Sequence, residues 1–190
     1  MLFLFMVYFL YMLVCFIGIK AFMVPAISAE DCLFADLGID PSYPGAQSLE
    51  ATDLLLRNRT ILSDAHVIVW QVGCVGDLGF RRQGYINQNF PILINRLISV
   101  YGPDYEITHY IGSQYPTCKS LIEKYSLQDF LKEEVAKRVT GMSTFYIPPK
   151  IARQVDPEMA IKIGVVSTAE EAVKWTSRAR RTLDEYGKRE

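Results

Sequence analysis

The clearest hydrophobic pattern in the chain is a nearly continuous apolar run, Ala65–Val72, which reads AHVIVWQV. A run of this length, rich in β-branched residues, predicts a central strand that is covered on both faces. The run is followed by a glycine-rich segment, Gly73–Gly79, which predicts a loop at the end of the strand. The next apolar pattern, Pro91–Tyr101, has helical spacing and is closed by Gly102. The middle of the chain therefore predicts a strand, a loop and a helix in succession.

A helix signal lies upstream of this strand. Ser28 is followed three residues later by Asp31, and this is the spacing of a capping box at a helix N-terminus. The apolar positions that follow at helical spacing are Ala29, Cys32, Leu33 and Leu37. Gly38 ends the predicted helix, because glycine is favoured just beyond a helix C-terminus.

Four further elements are predicted in the second half of the chain. The pattern predicts a strand over Tyr105–Ile111, a short helix over Lys119–Tyr125, a helix from Ser126 and a strand over Ser143–Ile147. The helix from Ser126 has an aspartate at its third position, as a capping signal requires. Two consecutive prolines stop the last strand, because proline cannot donate a ladder hydrogen bond.

The chain ends in a predicted helix that begins at Ser167 or Thr168. Its Arg- and Lys-rich end suits the negative end of the helix dipole. Predicted strands and helices alternate along the chain, so the fold class is α/β or α+β. The predicted organisation is an apolar segment over residues 1–20, a domain over residues 21–165 and a C-terminal helix over residues 166–190.

The first residues of the chain, Met1–Ile19, contain no charge, and the run ends at Lys20. At about 1.5 Å per residue, a helix of this length would just cross a bilayer core of about 30 Å. One interpretation is therefore a transmembrane helix or signal anchor that ties the chain to a membrane. The other is a prefix that is not native to the domain, from a misplaced start or a shifted reading frame; in that case we expect a cytoplasmic protein.

Charge and cysteine content narrow the classes of partner. The 20 basic and 21 acidic residues are intermixed, and the formal net charge is −1. Nucleic-acid binding requires a basic patch or stripe, so we expect no nucleic acid as partner. The cysteines are spread along the chain without zinc-ligand spacing, which favours free thiols in a reducing compartment and no metal site. The four cysteines are Cys15, Cys32, Cys74 and Cys118.

Spacing along the chain shows no nucleophile–base pair and no phosphate-binding motif. The two histidines, His66 and His109, both lie in predicted strands, where structural histidines are common. The glycines at 73, 76 and 79 do not have dinucleotide-binding spacing. They indicate a loop after a strand, where α/β proteins often bind ligands. Spacing alone therefore leaves the catalytic residues unassigned.

Four segments nevertheless occur in an order that is typical of one enzyme superfamily. They are Pro25–Gly38 (PAISAEDCLFADLG), Gln47–Asp53 (QSLEATD), Trp70–Gly73 (WQVG) and Thr144–Pro149 (TFYIPP). Together they resemble the tetrapyrrole methylases and, more narrowly, the borosin-type peptide-backbone N-methyltransferases and their bacterial relatives. The resemblance extends over roughly residues 20–165 of the chain.

The resemblance implies the C-terminal domain of the tetrapyrrole methylase fold, a mixed β-sheet flanked by helices, to which the chain adds the N-terminal apolar helix. It also implies a homodimer that binds S-adenosylmethionine in a cleft between two α/β domains and methylates an acceptor. The acceptor is a peptide backbone amide, or a tetrapyrrole or other small molecule. The residues to which the resemblance assigns cofactor contacts are Ser28, Ala29, Gln71, Val72, Tyr146 and Ile147.

The chemistry of these residue types suits that assignment. Ser28 and Ala29 stand at a helix N-terminus, where free N–H groups and the dipole favour an anionic or acceptor group. Gln71 offers both a donor and an acceptor. Tyr146 and Ile147 lie on an apolar strand, whose backbone would bind adenine while the side chains cover its face. From the residues alone, Tyr146 and Ile147 are equally interpretable as core residues, and Gln71 as a residue that satisfies the end of a strand.

The sequence also departs from the family pattern. Ala26 stands where the family usually has glycine, in a loop that needs unusual backbone angles. The glycine-rich loops and acceptor-handling residues of the family's N-terminal domain do not precede Pro25. We therefore expect a shortened form that supplies one wall of the cofactor cleft and does not catalyse unaided. Two other functions stay open here: a non-catalytic cofactor-binding or dimerisation module, and a membrane-anchored binding protein.

Overall fold

The computed structural model describes residues 12–14, 16–19, 28–77, 79, 84–115 and 117–174, and within them one five-stranded sheet carries helices on both faces. The elements in chain order are α1 Ala29–Leu37, β1 Ala46–Glu50, α2 Ala51–Leu56, β2 His66–Trp70, α3 Phe90–Tyr101, β3 Glu106–Ile111, β4 Leu121–Ser126, α4 Glu133–Ala136, β5 Thr144–Ile147 and α5 Pro157–Lys162. Short 3-10 helices follow β2 and β4, at Val72–Cys74 and Leu127–Leu131.

The sheet is mixed, with the strand order β1-β2-β5-β3-β4. β1 and β2 run parallel, whereas every other neighbouring pair is antiparallel. Parallel neighbours cannot be joined by a tight hairpin, and the connection from β1 to β2 includes α2. Because they are parallel, both strands have their C-terminal ends at the same edge of the sheet, and Glu50 is the partner of Trp70 there. The mixed sheet flanked by helices agrees with the predicted fold class.

The larger core lies on the face of the sheet that α2 and α3 cover. Val67 and Val69 of β2 reach this face, because successive side chains of a strand point to opposite sides. α3 contributes a stripe of residues three and four positions apart, which is the spacing of one helix face. The buried residues of α3 are Phe90, Leu93, Ile94, Leu97 and Tyr101.

α1 covers the opposite face and forms a smaller core. The buried residues of this core are Leu33, Phe34, Ile68, Tyr110 and Tyr146. The C-terminal half of α1 is held to the β3–β4 hairpin by Asp36, whose Oδ2 accepts hydrogen bonds from the hydroxyls of Ser120 at 2.5 Å and Tyr110 at 2.7 Å. These two bonds lower the pKa of Asp36 and keep it ionised.

Several elements confirm the sequence predictions. α1 begins with the expected capping box between Ser28 and Asp31, and Gly38 ends it with a φ of 65°. The central strand is observed as His66–Trp70, with its first four residues buried. The helix predicted to begin at Pro91 and the strands predicted to begin at Tyr105 and Ser143 are observed as α3, β3 and β5.

The helix predicted over Lys119–Tyr125 was wrong, because Leu121–Ser126 is strand β4. β4 pairs with β3 over six residues, and those non-local hydrogen bonds outweigh a weak local helix preference. The helix predicted from Ser126 is a 3-10 helix, Leu127–Leu131, followed by the short α4. Its capping signal is confirmed, since the Ser126 hydroxyl donates to Asp129 at 2.6 Å.

The two ends of the chain lie largely outside the described residues. Of the apolar segment predicted as a membrane helix, only residues 12–14 and 16–19 are described. Among the described residues, no helix has the length and apolarity needed to span a membrane. The predicted last helix is described only up to residue 174 and is helical over residues 169–174. α5, which was not predicted, is capped by Asp156, whose Oδ1 accepts from the N–H groups of Glu158 and Met159.

Candidate cofactor site at one edge of the sheet

The candidate site lies at the edge where β1 and β2 end. Ligands of open α/β sheets commonly bind beyond the carboxyl ends of parallel strands. At this edge Glu50 caps α2 by accepting from Thr52 N at 3.0 Å and Asp53 N at 2.6 Å. The Thr52 hydroxyl then accepts from the N–H of Gly76 at 3.1 Å, in the loop after β2. The loops that follow β1 and β2 are thus joined directly.

Gln71 and Val72 are the first residues beyond β2, and the structure places them differently. Gln71 is half-buried and adopts a left-handed conformation with φ 59° and ψ 34°. A non-glycine residue in this region costs about 1 kcal/mol or more, and such residues cluster at functional sites. Within the part of the chain that the structure describes, the side chain of Gln71 makes no capping hydrogen bond. Val72 is fully buried in the larger core, so its side chain is structural.

Gly73 allows the loop after β2 to touch the turn that precedes β5. A Cβ at Gly73 would lie 2.0 Å from the carbonyl oxygen of Thr140 and 2.9 Å from the backbone nitrogen of Gly141. No larger residue fits without backbone movement. The neighbouring Cys74 is buried, and burial raises the pKa of its thiol to about 11, so it is not an activated nucleophile.

The start of α1 has a local charge that the resemblance did not imply. Asp31 Oδ2 accepts from the Ser28 backbone at 2.9 Å and from its hydroxyl at 2.7 Å, and these bonds lower the pKa of Asp31. Glu30 adds a second carboxylate to the first turn. The positive end of the helix dipole is therefore already balanced, and the site around Ala29 favours a cationic or hydrogen-bond-donating group over an anion.

Side chains connect the start of α1 to the end of β2. The indole N–H of Trp70 donates to the hydroxyl of Ser48 at 2.6 Å, and this hydroxyl donates to Glu30 Oε2 at 3.3 Å. Trp70 directly precedes Gln71, and Glu30 directly follows Ala29. The fold therefore brings two of the three predicted cofactor segments together on one face of the sheet.

The third predicted segment, in β5, contributes core side chains. Tyr146 packs beneath α1, and its hydroxyl lies 2.7 Å from Nδ1 of His66. The other ring nitrogen of His66 lies 3.2 Å from the carbonyl of Tyr43, so Nε2 donates there and Tyr146 donates to Nδ1. Ile147 points to the opposite face and is fully buried in the larger core. The two side chains therefore do not cover one ligand surface together.

Sequence reasoning missed two asparagines that hold the loop after β2. Asn89 Nδ2 donates to the carbonyl of Val75 at 3.1 Å, and Asn87 Nδ2 donates to that of Val72 at 3.1 Å. Among the described residues, Oδ1 of Asn87 is buried without a hydrogen-bond partner. An unpaired buried acceptor costs free energy, and burial closes this atom to a ligand in this conformation. The available signal was the polar Asn87–Asn89 segment just before α3.

The fold also brings together a serine and a histidine, Ser143 and His109, whose spacing in the chain gives no sign of the contact. Ser143 Oγ lies 2.7 Å from Nε2 of His109, although 34 residues separate them in the chain. Nδ1 of His109 lies 3.3 Å from Oε2 of Glu123. In the described part of the chain, no group of three His, Cys, Asp or Glu residues is placed to hold a metal ion.

An apolar depression of about 260 Å³ lies around α5, and no residue of the candidate site lines it. Its lining residues are Val155, Asp156, Met159, Ala160, Ile163, Val165 and Val166. The depression is open and has few polar groups to orient a ligand, whereas the edge of β1 and β2 has several. The polar groups at the edge where β1 and β2 end, rather than the apolar depression, therefore identify the candidate site.

Sequence comparison finds close relatives, although no protein-family model matches the chain. One is a methyltransferase and ribosomally synthesized type III borosin cyclic peptide precursor of Anomoporia bombycina. It is 46% identical over 149 residues, which cover 78% of this chain and 17% of that protein. Another is the methyltransferase and omphalotin A precursor of Omphalotus olearius. It is 47% identical over 133 residues, which cover 70% of this chain and 32% of that protein.

Among solved structures, the methyltransferase CobJ is similar, with a TM-score of 0.46 and 16% identity over 74% of this chain and 55% of CobJ. A likeness at this level carries no argument about the site. The sequence identities of 46% and 47% confirm the narrower of the two family resemblances. The chain spans at most about a third of the length of the two relatives described above. Over 70–78% of its own length, this chain is homologous to these two borosin-type methyltransferase precursors.

Proposed function

We propose that this chain forms one wall of an S-adenosylmethionine site in a peptide-backbone N-methyltransferase. The observation that supports this most directly is the convergence of the start of α1 and the end of β2, joined through Trp70, Ser48 and Glu30. This convergence lies where the parallel strands end, which is the usual ligand edge of such sheets. The relatives are named as methyltransferases and cyclic peptide precursors, which favours a peptide over a tetrapyrrole as acceptor.

The residues at this edge fit the proposed cofactor. S-adenosylmethionine supplies an electrophilic methyl group on a positively charged sulfur. The carboxylates of Glu30 and Asp31 give the start of α1 a negative character that favours a cationic ligand. Gln71 is half-buried and offers an amide donor and acceptor, as an adenine edge requires. In this proposal Ser28, which caps α1, orients the helix start.

The remaining predicted residues have supporting roles in this proposal. Val72 accepts the hydrogen bond that fixes Asn87. Tyr146 supports α1 from below, and Ile147 anchors β5 in the larger core. Rigid elements hold a binding site more precisely than loops do, so these buried side chains contribute to affinity through preorganisation.

N-methylation of a peptide amide also requires removal of the amide proton. A general base must come within hydrogen-bonding distance of that proton, and histidine is the usual one near neutral pH. The two histidines of the chain are both buried in strands, His66 at 2% exposure and His109 at 0%. Neither imidazole is accessible to an acceptor, so in this proposal a group other than these two histidines removes the amide proton.

The proposal is tested by isothermal titration of the purified chain with S-adenosylmethionine. The informative variant is Gln71→Gly, because glycine accepts the left-handed backbone at this position while the amide is removed. Loss of a ligand hydrogen bond predicts an affinity about tenfold weaker. Gln154→Gly is the matched control, since Gln154 is exposed and outside the site. Absence of binding to the unmodified chain, or equal affinities for the two variants, would contradict the proposal.

A further inference from the structure

A series of four side chains links the β3–β4 hairpin to the turn before β5. Arg138 donates to the carboxylate of Glu123, with Nε at 3.1 Å from Oε2. The same carboxylate lies 3.3 Å from Nδ1 of His109, and Nε2 of His109 lies 2.7 Å from Ser143 Oγ. Ser143 Oγ also accepts from the N–H of Thr140 at 2.9 Å.

The protons in this series have one consistent arrangement. An ionised carboxylate only accepts hydrogen bonds, so Nδ1 of His109 carries the proton that points to Glu123. In the neutral ring Nε2 is then an acceptor, and the Ser143 hydroxyl donates to it. Every bond of the series has one donor and one acceptor, and such fully satisfied buried networks are rigid.

A serine, a histidine and an acid in this order also occur in hydrolases, but burial excludes that role here. Ser143 is 1% exposed and His109 is 0% exposed, so no substrate reaches the hydroxyl. Ser143 Oγ already accepts from Thr140 and donates to His109. A nucleophile must contact its substrate, so this series has a positional role instead.

The part of the structure that the series positions is the turn over residues 140–143. Ser143 closes the turn at both ends, since its backbone N–H donates to the carbonyl of Thr140 at 3.0 Å. That carbonyl is the group that Gly73 approaches so closely that no Cβ fits between them. Gly73 lies in the 3-10 helix that directly follows Gln71. The turn is therefore the support on which the backbone after Gln71 rests.

We propose that His109 is a positioning residue for the cofactor site, acting through Ser143 and the turn over residues 140–143. By fixing this turn it determines where Gly73 lies, and thereby the left-handed conformation of Gln71. The inference rests on the proposed function where it concerns cofactor affinity. Its structural part, the position of the segment from Gln71 to Val75, does not depend on it.

Two substitutions of His109 separate positioning from simple loss of a buried ring. In His109→Gln the amide group reaches the place of Nε2, and the bond to Ser143 is retained. In His109→Asn the shorter side chain reaches only the place of Nδ1, and that bond is lost. Ser143→Ala removes the same bond with a smaller change of volume, so it also serves if His109→Asn does not fold.

We expect His109→Asn and Ser143→Ala to weaken S-adenosylmethionine binding about tenfold, which is the effect of one lost hydrogen bond. His109→Gln should restore binding to within about threefold of the unmodified chain, at a melting temperature similar to that of His109→Asn. Amide hydrogen exchange is measured over residues 71–75 in the same proteins without cofactor. Exchange there should quicken about tenfold in the Asn and Ala variants and not in the Gln variant.

Equal exchange over residues 71–75 in all four proteins would overturn the inference. Affinity and exchange that follow melting temperature alone, with Gln no better than Asn, would overturn it as well. If the unmodified chain binds no cofactor while exchange changes as expected, the proposed function fails and the positioning role of His109 stands.

Discussion

A methyl group added at Gly73 would disturb the close contact between the loop after β2 and the turn before β5. In Gly73→Ala the new Cβ would lie 2.0 Å from the carbonyl oxygen of Thr140 and 2.3 Å from its carbonyl carbon. Contacts under 3.0 Å are essentially never seen for real Cβ atoms, so one of the two backbone segments must retreat by about 1 Å. Both groups belong to the backbone, so no rotation of a side chain relieves the contact.

The expected cost has two parts. Overpacking of a well-packed interior costs about 1–3 kcal/mol. The retreat of Thr140 also weakens the hydrogen bond that its carbonyl accepts from Ser143 N, a loss of about 1 kcal/mol. We therefore expect Gly73→Ala to lower the free energy of unfolding by about 3 kcal/mol, which lowers the melting temperature of a chain of this size by about 6–12 °C.

Thermal unfolding followed by circular dichroism measures this change, and urea unfolding gives the free energy independently. Gly79→Ala is the matched control in the same loop, because the nearest atom that its Cβ would meet in the described part of the chain is Asp77 Oδ1 at 3.7 Å. That substitution should change stability by about 0.5 kcal/mol or less. If Gly73→Ala unfolds at the temperature of Gly79→Ala, the close contact between the two turns is not present and the site is assembled differently.

Two further predictions concern acidity and catalysis. Burial lowers the pKa of His66 and His109 below 6.5. Below about pH 6.5 the unfolded chain therefore binds protons at these histidines more readily than the folded chain does. The free energy of unfolding consequently has its full value above that pH and falls as the pH decreases. The urea concentration at the midpoint of unfolding should be lower at about pH 5.5 than at about pH 7.5. A variant with both His66 and His109 replaced by glutamine should lose most of this difference, whereas a control variant with one lysine replaced by glutamine should keep it. In the second prediction, the chain is incubated with labelled S-adenosylmethionine and candidate peptides, and it should bind the cofactor without methylating the peptides. Methylation in the absence of any second polypeptide would refute the proposal that this chain forms only one wall of the cofactor site.

Local chemistry was enough to predict elements whose signals lie within a few residues of each other. The capping boxes at Ser28 and Ser126 are observed with the expected partners. The buried run of the central strand is also observed, because a strand that is covered on both faces carries a continuous apolar pattern. The prediction that Gln71 and the start of α1 lie near each other came from the family resemblance, because their spacing in the chain does not indicate it.

Elements whose stability comes from distant partners were not predictable in this way. Leu121–Ser126 is a strand because β3 pairs with it along its whole length. β1 was not predicted as a strand, since its residues are mostly polar or half-exposed at an edge of the sheet. Its Gln47 nonetheless fixes the following loop, donating to Thr60 O and accepting from Leu62 N, both at 2.9 Å.

The sequence by itself determined where the chain turns, where two helices start and which strand lies at the centre, because these depend on side chains that are close in the chain. Only the tertiary structure decided that Tyr146 and Ile147 point to opposite faces with α1 over Tyr146, and that Gly73 contacts Thr140. It also decided that Oδ1 of Asn87 is buried with no hydrogen-bond partner among the described residues. These facts depend on segments that are distant in the chain and meet only when the sheet forms, so local preference carries no information about them.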